Sequence, residues 1–150
     1  MYKGVGITPR QQPTKALLDT VRGSVVNTTA MSGRLTTHVL DTSRGLPASN
    51  IKIEVWALGP REDNRRLLKT ERTNSDGRTA TPLLAGPELE VGYYELVFSM
   101  GDYFASQSNA NSEPPFLSTI PIRFGVADPS AHYHVPLLVS PWAYNTYRGS

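Results

Sequence analysis

The sequence predicts an all-β protein, a β-sandwich of two antiparallel sheets with one short helix, and three observations carry that prediction. Apolar and polar residues alternate with period two in one segment after another, the pattern of strands buried on a single face. The segments are short, and turn signals separate them every ~8–12 residues, the rhythm of sandwich strands. Twelve glycines and twelve prolines stand as punctuation between the apolar runs, which disfavours a helical plan. The chain of 150 residues is long enough for one domain with a proper core.

Taken in order, the first predicted strand runs from Arg34, with Leu35, Thr37 and Val39 on one face and Arg34, Thr36, His38 and Leu40 on the other. Thr42–Pro47 is turn chemistry. Ile51, Ile53, Val55 and Ala57 then alternate with Lys52, Glu54 and Trp56 to give a second strand. A charged loop from Gly59 leads to a third strand over Leu67–Thr73, closed by Asn74-Ser75-Asp76-Gly77, a strong turn because glycine tolerates positive φ. Arg78 follows at once, so its long side chain belongs at the rim of the sheet. Pro82–Gly92 is irregular. Tyr93–Met100 is a strand with Tyr94, Leu96, Phe98 and Met100 on one face. Asp102–Asn109 reads as the one short helix, with Asp102 as its cap. A loop to Pro115 precedes a strand over Ile120–Val126, where Pro121 argues for an edge or strand-start position. After the turn Asp128-Pro129-Ser130, the last strand spans His132–Val139.

Composition narrows the function classes. With no cysteine, disulfides, thiolate metal sites and cysteine nucleophiles are excluded. No apolar run approaches the roughly 18 residues that cross a bilayer, so no membrane association is expected. The net charge of +2 comes from the first 32 residues, where Lys3, Arg10, Lys15 and Arg22 face only Asp19; the remainder is slightly acidic. The body therefore lacks the basic surplus of a nucleic-acid binder. Residues 1–32 have no clean hydrophobic period. They read as a disordered extension or a targeting leader, and Met31 is an alternative start; residues 33–150 form the expected domain.

The closing strand carries the most chemistry. Tyr133, Val135, Leu137 and Val139 make a continuous core face, so His132, His134, Pro136 and Leu138 look outward. That face is too apolar for a plain solvated surface and suits a subunit interface or a pocket wall. A single histidine is more often a surface or hydrogen-bonded residue than a functional one. The His132-x-His134 pair could also serve as two metal ligands, but a zinc site needs a third, and a metal-free site is the better reading. A Ser-His-Asp triad has no local support, because Asp41, three residues from His38, falls on the opposite strand face. There is no Gly-x-Ser-x-Gly elbow and no phosphate-binding glycine loop.

Several motifs together resemble a known family. Thr37-His38-Val39-Leu40-Asp41-Thr42, Gly45-x-Pro47-Ala48, Thr73-x-x-x-Gly77-Arg78, His132-Tyr133-His134-Val135-Pro136-Leu137-Leu138, Ser140-Pro141 and the terminal Tyr147-Arg148-Gly149-Ser150 are similar to those of the 5-hydroxyisourate hydrolases, the enzyme branch of the transthyretin-like (prealbumin-like) family. The likeness runs from about Gly33 to Ser150. In the hormone-carrying branch, lysine, glutamate and threonine stand where His38, Arg78 and His134 stand here, and the tail differs. Two departures are visible: Trp142-Ala143 and Asn145 replace an aromatic-glycine pair and a serine, and the loops Gly59–Arg66 and Gln107–Pro115 look longer than usual.

The resemblance implies hydrolysis of 5-hydroxyisourate to 2-oxo-4-hydroxy-4-carboxy-5-ureidoimidazoline in urate degradation, with no cofactor and no metal. It implies His38, Arg78, His134 and Ser150 as catalytic residues, and His38, Arg78 and Tyr147 as substrate contacts. It implies a homotetramer, a dimer of dimers, with sites in the channel where the dimers meet. A cytoplasmic or peroxisomal setting stays open, since Arg-Gly-Ser is not the Ser-Lys-Leu address. The rival reading is a non-catalytic carrier of a small aromatic ligand; a third is a sandwich domain serving only as a protein-interaction surface.

Overall fold

The computed structural model describes residues 33–61, 64–107 and 112–149. The leader 1–32, the far end of the expected helix and Ser150 lie outside the described residues. Among the described residues eleven strands and one α-helix make two layers: β1 (Arg34–Thr36), β2 (Val39–Asp41), β3 (Leu46–Pro47), β4 (Lys52–Leu58), β5 (Arg65–Arg72), β6 (Leu84–Ala85), β7 (Gly92–Ser99), α1 (Gly101–Ala105), β8 (Thr119–Val126), β9 (His132–His134), β10 (Leu137–Val139) and β11 (Tyr144–Asn145).

One layer is a regular four-stranded sheet, ordered β5-β4-β7-β8, with every pairing antiparallel. Its strands are the ones whose alternation is cleanest in the sequence. Ile53 and Val55 of β4, Leu96 and Phe98 of β7, and Ile120 of β8 are fully buried, as period two requires. Pro121 sits in β8 at the open edge of this sheet, as the missing N–H predicts. On the outer face Glu95 is buried between two guanidiniums: Arg65 donates to one carboxylate oxygen at 3.1 Å and Arg123 to the other at 2.6 Å. The Arg65 guanidinium also lies 4.5 Å over the Trp56 ring, so this pair covers an otherwise costly buried charge.

The second layer is built from shorter pieces, β6-β1-β9 and β11-β10-β2-β3. The first predicted strand is two strands here, interrupted at Thr37-His38, and the last is likewise interrupted at Val135-Pro136. The interruptions face each other. Val135 N–H donates to the Thr36 carbonyl at 2.9 Å and Leu137 N–H to the His38 carbonyl at 2.8 Å. Between these bonds the Thr37 hydroxyl donates to the Val135 carbonyl at 2.7 Å, and Pro136 has no N–H to give. The two halves thus keep one register although neither strand is continuous. Both central pairings, β1 with β9 and β2 with β10, are parallel, in a sandwich whose other pairings are antiparallel. Alternation alone does not distinguish parallel from antiparallel neighbours.

A single apolar cluster joins the layers, with Leu35, Val39, Tyr133, Val135, Leu137 and Val139 packing against the inward residues of the regular sheet. The predicted core face of the closing strand is therefore correct at all four positions. Its outward face is less uniform: His132, His134 and Leu138 are half-buried, but Pro136, at the break between the two strands, is buried.

Local expectations also change, and Leu46–Pro47, expected within a turn, pairs with β2. Leu84–Ala85, expected irregular, pairs with β1, a two-residue strand too short to show a period. The third strand begins at Arg65 rather than Leu67, with a bulge opposite it between Val55 and Trp56. The helix is only Gly101–Ala105, and Asp102 does not cap it; the N-cap is Met100, the last core residue of the preceding strand segment, with no side-chain cap bond. Asp102 instead sits in the first turn, where a carboxylate favours the positive end of the helix.

Candidate active site

The cavity that gathers the histidine chemistry lies along the irregular layer. Its volume is about 460 Å³, and its walls include Arg34 and Thr36 of β1, Arg78 after the Gly77 turn, and His132 and His134 of β9. Parallel pairing of β1 with β9 sets Thr36 opposite His134 and Arg34 opposite His132. A larger cavity of about 720 Å³ lies beside α1, lined by Arg44, Lys52, Arg72 and Tyr103 among others. It holds no histidine, and its cations have internal partners: Lys52 pairs with Glu54, and Arg72 donates to the Asn50 carbonyl.

The Thr36 hydroxyl is the hub of the first cavity. It stands 2.8 Å from His132 Nε2 and 2.9 Å from His134 Nδ1, and the two rings are 6.3 Å apart. The hydroxyl thus occupies the point on which the two imidazoles converge. Among the described residues no group of three or more His, Cys, Asp or Glu side chains gathers to hold a metal.

Burial first, then the Arg78 guanidinium, then His132 and His38, hold the His134 imidazole below its ordinary value of 6.5. Burial and then Arg78 depress His38 from the same value, partly opposed by the backbone and carboxylate of Asp76. Burial and Arg34 do the same to His132. The mutual influence of Arg78, His38 and His134 brings the three sequence-predicted residues into one electrostatic neighbourhood. His38 stands at its edge, outside the cavity wall, with a buried Nε2 that has no hydrogen-bond partner in the single chain.

Backbone, not bulk, fixes both predicted imidazoles. Gly77 has φ of +72°, and a Cβ there would lie 2.4 Å from the Val39 carbonyl oxygen and 3.2 Å from His38 Cδ2. Its own carbonyl accepts from Val39 N–H at 2.8 Å, which ties the turn carrying Arg78 to the chain beside His38. Gly149 does the equivalent for His134. Its N–H donates to the His134 carbonyl at 2.8 Å, and a Cβ there would meet His134 Cδ2 at 2.7 Å. Only a glycine lets the tail lie so close to that ring.

The remaining expected residues fall differently. Tyr147 is 56% exposed and does not line the cavity. Its neighbour Arg148 rests 4.6 Å over the Tyr133 ring, and Thr146 donates to the Pro136 carbonyl at 2.8 Å, so the tail is anchored on both sides of Tyr147. Ser150 lies outside the described residues. Asp41 is no triad member: it is buried and accepts from the Ser43 amide and hydroxyl and from Tyr103, stapling a turn to α1. Arg34, Thr36 and His132 were not among the expected site residues. Their signal was the shared outward parity with His38 and His134; what sequence lacks is the pairing of segments almost a hundred residues apart.

Residues 35–149 match the HIUase/Transthyretin family, and the chain belongs to it. Its relatives include 5-hydroxyisourate hydrolases. It is 55% identical over 119 residues to "5-hydroxyisourate hydrolase 2" of Rhizobium meliloti, covering 79% of this chain and 98% of that one. The solved structure of Klebsiella pneumoniae 5-hydroxyisourate hydrolase aligns with a TM-score of 0.63 at 32% identity, over 78% of this chain and 99% of that one. A solved (S)-allantoin synthase aligns with a TM-score of 0.74 at 51% identity, over 79% of this chain. This chain spans only 44% of the length of that synthase.

Proposed function

We propose that the chain hydrolyses 5-hydroxyisourate, opening a cyclic amide to give 2-oxo-4-hydroxy-4-carboxy-5-ureidoimidazoline, and that residues 33–150 are the domain that does it. The observation that carries this reading is the meeting of His134 and Arg78 on one cavity of about 460 Å³, within the usual size range of small-ligand sites. Relatives at about half identity carry the same activity in their names, which supports it.

In the proposed reaction His134 removes a proton from water as the oxygen attacks the ring carbonyl. A base must be neutral to act, and the depressed imidazole meets that need at neutral pH. Negative charge grows on the carbonyl oxygen and is met by Arg78, which stays protonated throughout. The proton on His134 then passes to the departing ring nitrogen, and the C–N bond breaks. His38 assists from the edge of the site, where it lies within electrostatic reach of His134 and Arg78. Tyr147 and Ser150 remain proposed substrate and positioning contacts from the tail. The half-buried Leu138, beside the buried Pro136, supports a channel wall between dimers in a homotetramer.

The test is the decay of freshly generated 5-hydroxyisourate with and without enzyme, run on the full chain and on residues 33–150. Turnover above the spontaneous rate in both is expected. Tight binding of the substrate with no acceleration would favour the carrier reading instead. No helix among the described residues is long and apolar enough to cross a membrane; a cytoplasmic or peroxisomal setting belongs to the proposal.

A further inference from the structure

A hydroxyl has one proton, and Thr36 spends it between two imidazoles. Its oxygen is within hydrogen-bond distance of His132 Nε2 and His134 Nδ1 together, and near neutrality both rings are uncharged, each with one N–H and one lone pair. Two arrangements place that single hydroxyl proton between the rings. In one, His134 Nδ1–H donates to Thr36 and Thr36 donates to His132 Nε2, so both rings carry their proton on Nδ1. In the other every bond is reversed, and both rings carry it on Nε2.

The two arrangements differ in what they offer the substrate. With its proton on Nδ1, His134 keeps a free Nε2 lone pair that can take a proton from water. With its proton on Nε2, that nitrogen is a donor and the ring is useless as a base there. The first arrangement also survives the reaction: the imidazolium still donates from Nδ1 to Thr36, and no hydroxyl has to turn. We infer that Thr36 and His132 are positioning residues that hold His134 in the tautomer whose Nε2 is free to act as the base. This rests on the hydrolase reading of the cavity and adds to it a role for two further residues of the cavity wall, acting through His134.

The groups facing His134 fit this arrangement. Thr36 and His132 stand on one side, Gly149 packs against the ring, and Arg78 and His38 contribute charge from the turn and from the chain between β1 and β2. Burial, and then Arg34, discourage the protonation of His132, which keeps His132 Nε2 available as the acceptor at the end of the chain. Where a carboxylate sets the tautomer of a catalytic histidine, its loss costs about 10⁴-fold in kcat. A neutral hydroxyl holds the ring less firmly, so a loss of about 10²-fold is expected here.

The decisive measurement is the ¹⁵N spectrum of the imidazole nitrogens in the labelled full chain above neutrality. His134 and His132 are both expected with a protonated Nδ1 and a bare Nε2. A wild-type His134 protonated on Nε2 overturns the inference, whatever the activity. Thr36→Val, nearly isosteric, should move the His134 proton to Nε2 and lower kcat about 10²-fold with KM within about twofold. Thr36→Ser should restore both readouts. His132→Phe removes the acceptor and frees the Thr36 proton to turn toward His134; the same tautomer change with a loss of about tenfold or more is expected. It stands in if Thr36→Val does not fold. Unchanged kcat and an unchanged His134 tautomer in either folded variant would sink the idea. If the wild-type chain has no turnover at all, the hydrolase reading falls, and the ¹⁵N spectrum still decides the tautomer.

Discussion

The two layers of this sandwich use their strands in opposite ways. The regular sheet has four strands of seven or eight residues in unbroken antiparallel register apart from one bulge. Its inward residues fill the core, and its outward Glu95 is neutralised by its own neighbours. The second layer has strands of two or three residues, and its two central strands break at Thr37-His38 and at Val135-Pro136. Regularity supplies a platform, and departure from regularity supplies the site. The cost of those departures is limited, because each is stitched by a specific bond, such as Thr37 to Val135.

Variants should separate the layers by what they damage. His134→Ala is expected to give the largest effect, a loss of about 10²–10⁴-fold in kcat/KM, with a melting temperature close to wild type. Arg78→Glu should follow at about 10²–10³-fold or more, since it replaces the charge proposed to meet the oxyanion. Wild-type turnover in either would remove the irregular layer from catalysis. In the platform, Phe98→Ala should show the converse: about 3–5 kcal/mol of stability lost on denaturant unfolding, and unchanged kcat in whatever fraction stays folded. A large fall in kcat there would mean that the layers are not separable.

Gly149→Ala is a finer probe. The added methyl must displace the His134 ring or the tail, so activity should fall about tenfold while stability changes by about 1 kcal/mol or less. A stability loss with intact kcat would assign the tail a structural role instead. The smallest expected effect is in pH. Because the folded chain holds His134 below 6.5, the acidic limb of kcat/KM should lie below that value, and Arg78→Gln should move it upward by removing a nearby cation. The sign for stability follows from the same shift. Between the folded and unfolded values the unfolded chain binds more protons, so the contribution is complete above 6.5 and is lost as pH falls through the folded value. A limb at or above 6.5 would contradict the electrostatics of the cavity.

How far the molecule was legible in its sequence follows the same division. The strands over Lys52–Leu58, Gly92–Ser99 and Thr119–Val126 show their alternation openly, because each is half-buried along its whole length. The core face of the closing stretch was legible for the same reason. The breaks at Thr37-His38 and Val135-Pro136 were not, since parity continues through them and only the hydrogen bonds change. The helix cap was misplaced because Asp102 looks like a cap, whereas the chain passes from β7 into α1 through buried Met100. His38, Arg78 and His134 were reached by resemblance and parity. Thr36 was not, because a threonine on an outward face is unremarkable until a parallel partner sets two imidazoles against it.

The pair of glycines beneath the predicted histidines has a consequence for anyone who would move this site elsewhere. Grafting His38, Arg78 and His134 onto another sandwich as side chains would reproduce the chemistry on paper and miss what aims it. Each ring rests against bare main chain, at Gly77 on one side and Gly149 on the other, so the unit of transplantation is a turn, a tail and the two broken strands between them. The scaffold that accepts them would have to tolerate chain passing within van der Waals contact of both rings, and a rotamer library offers no substitute for that.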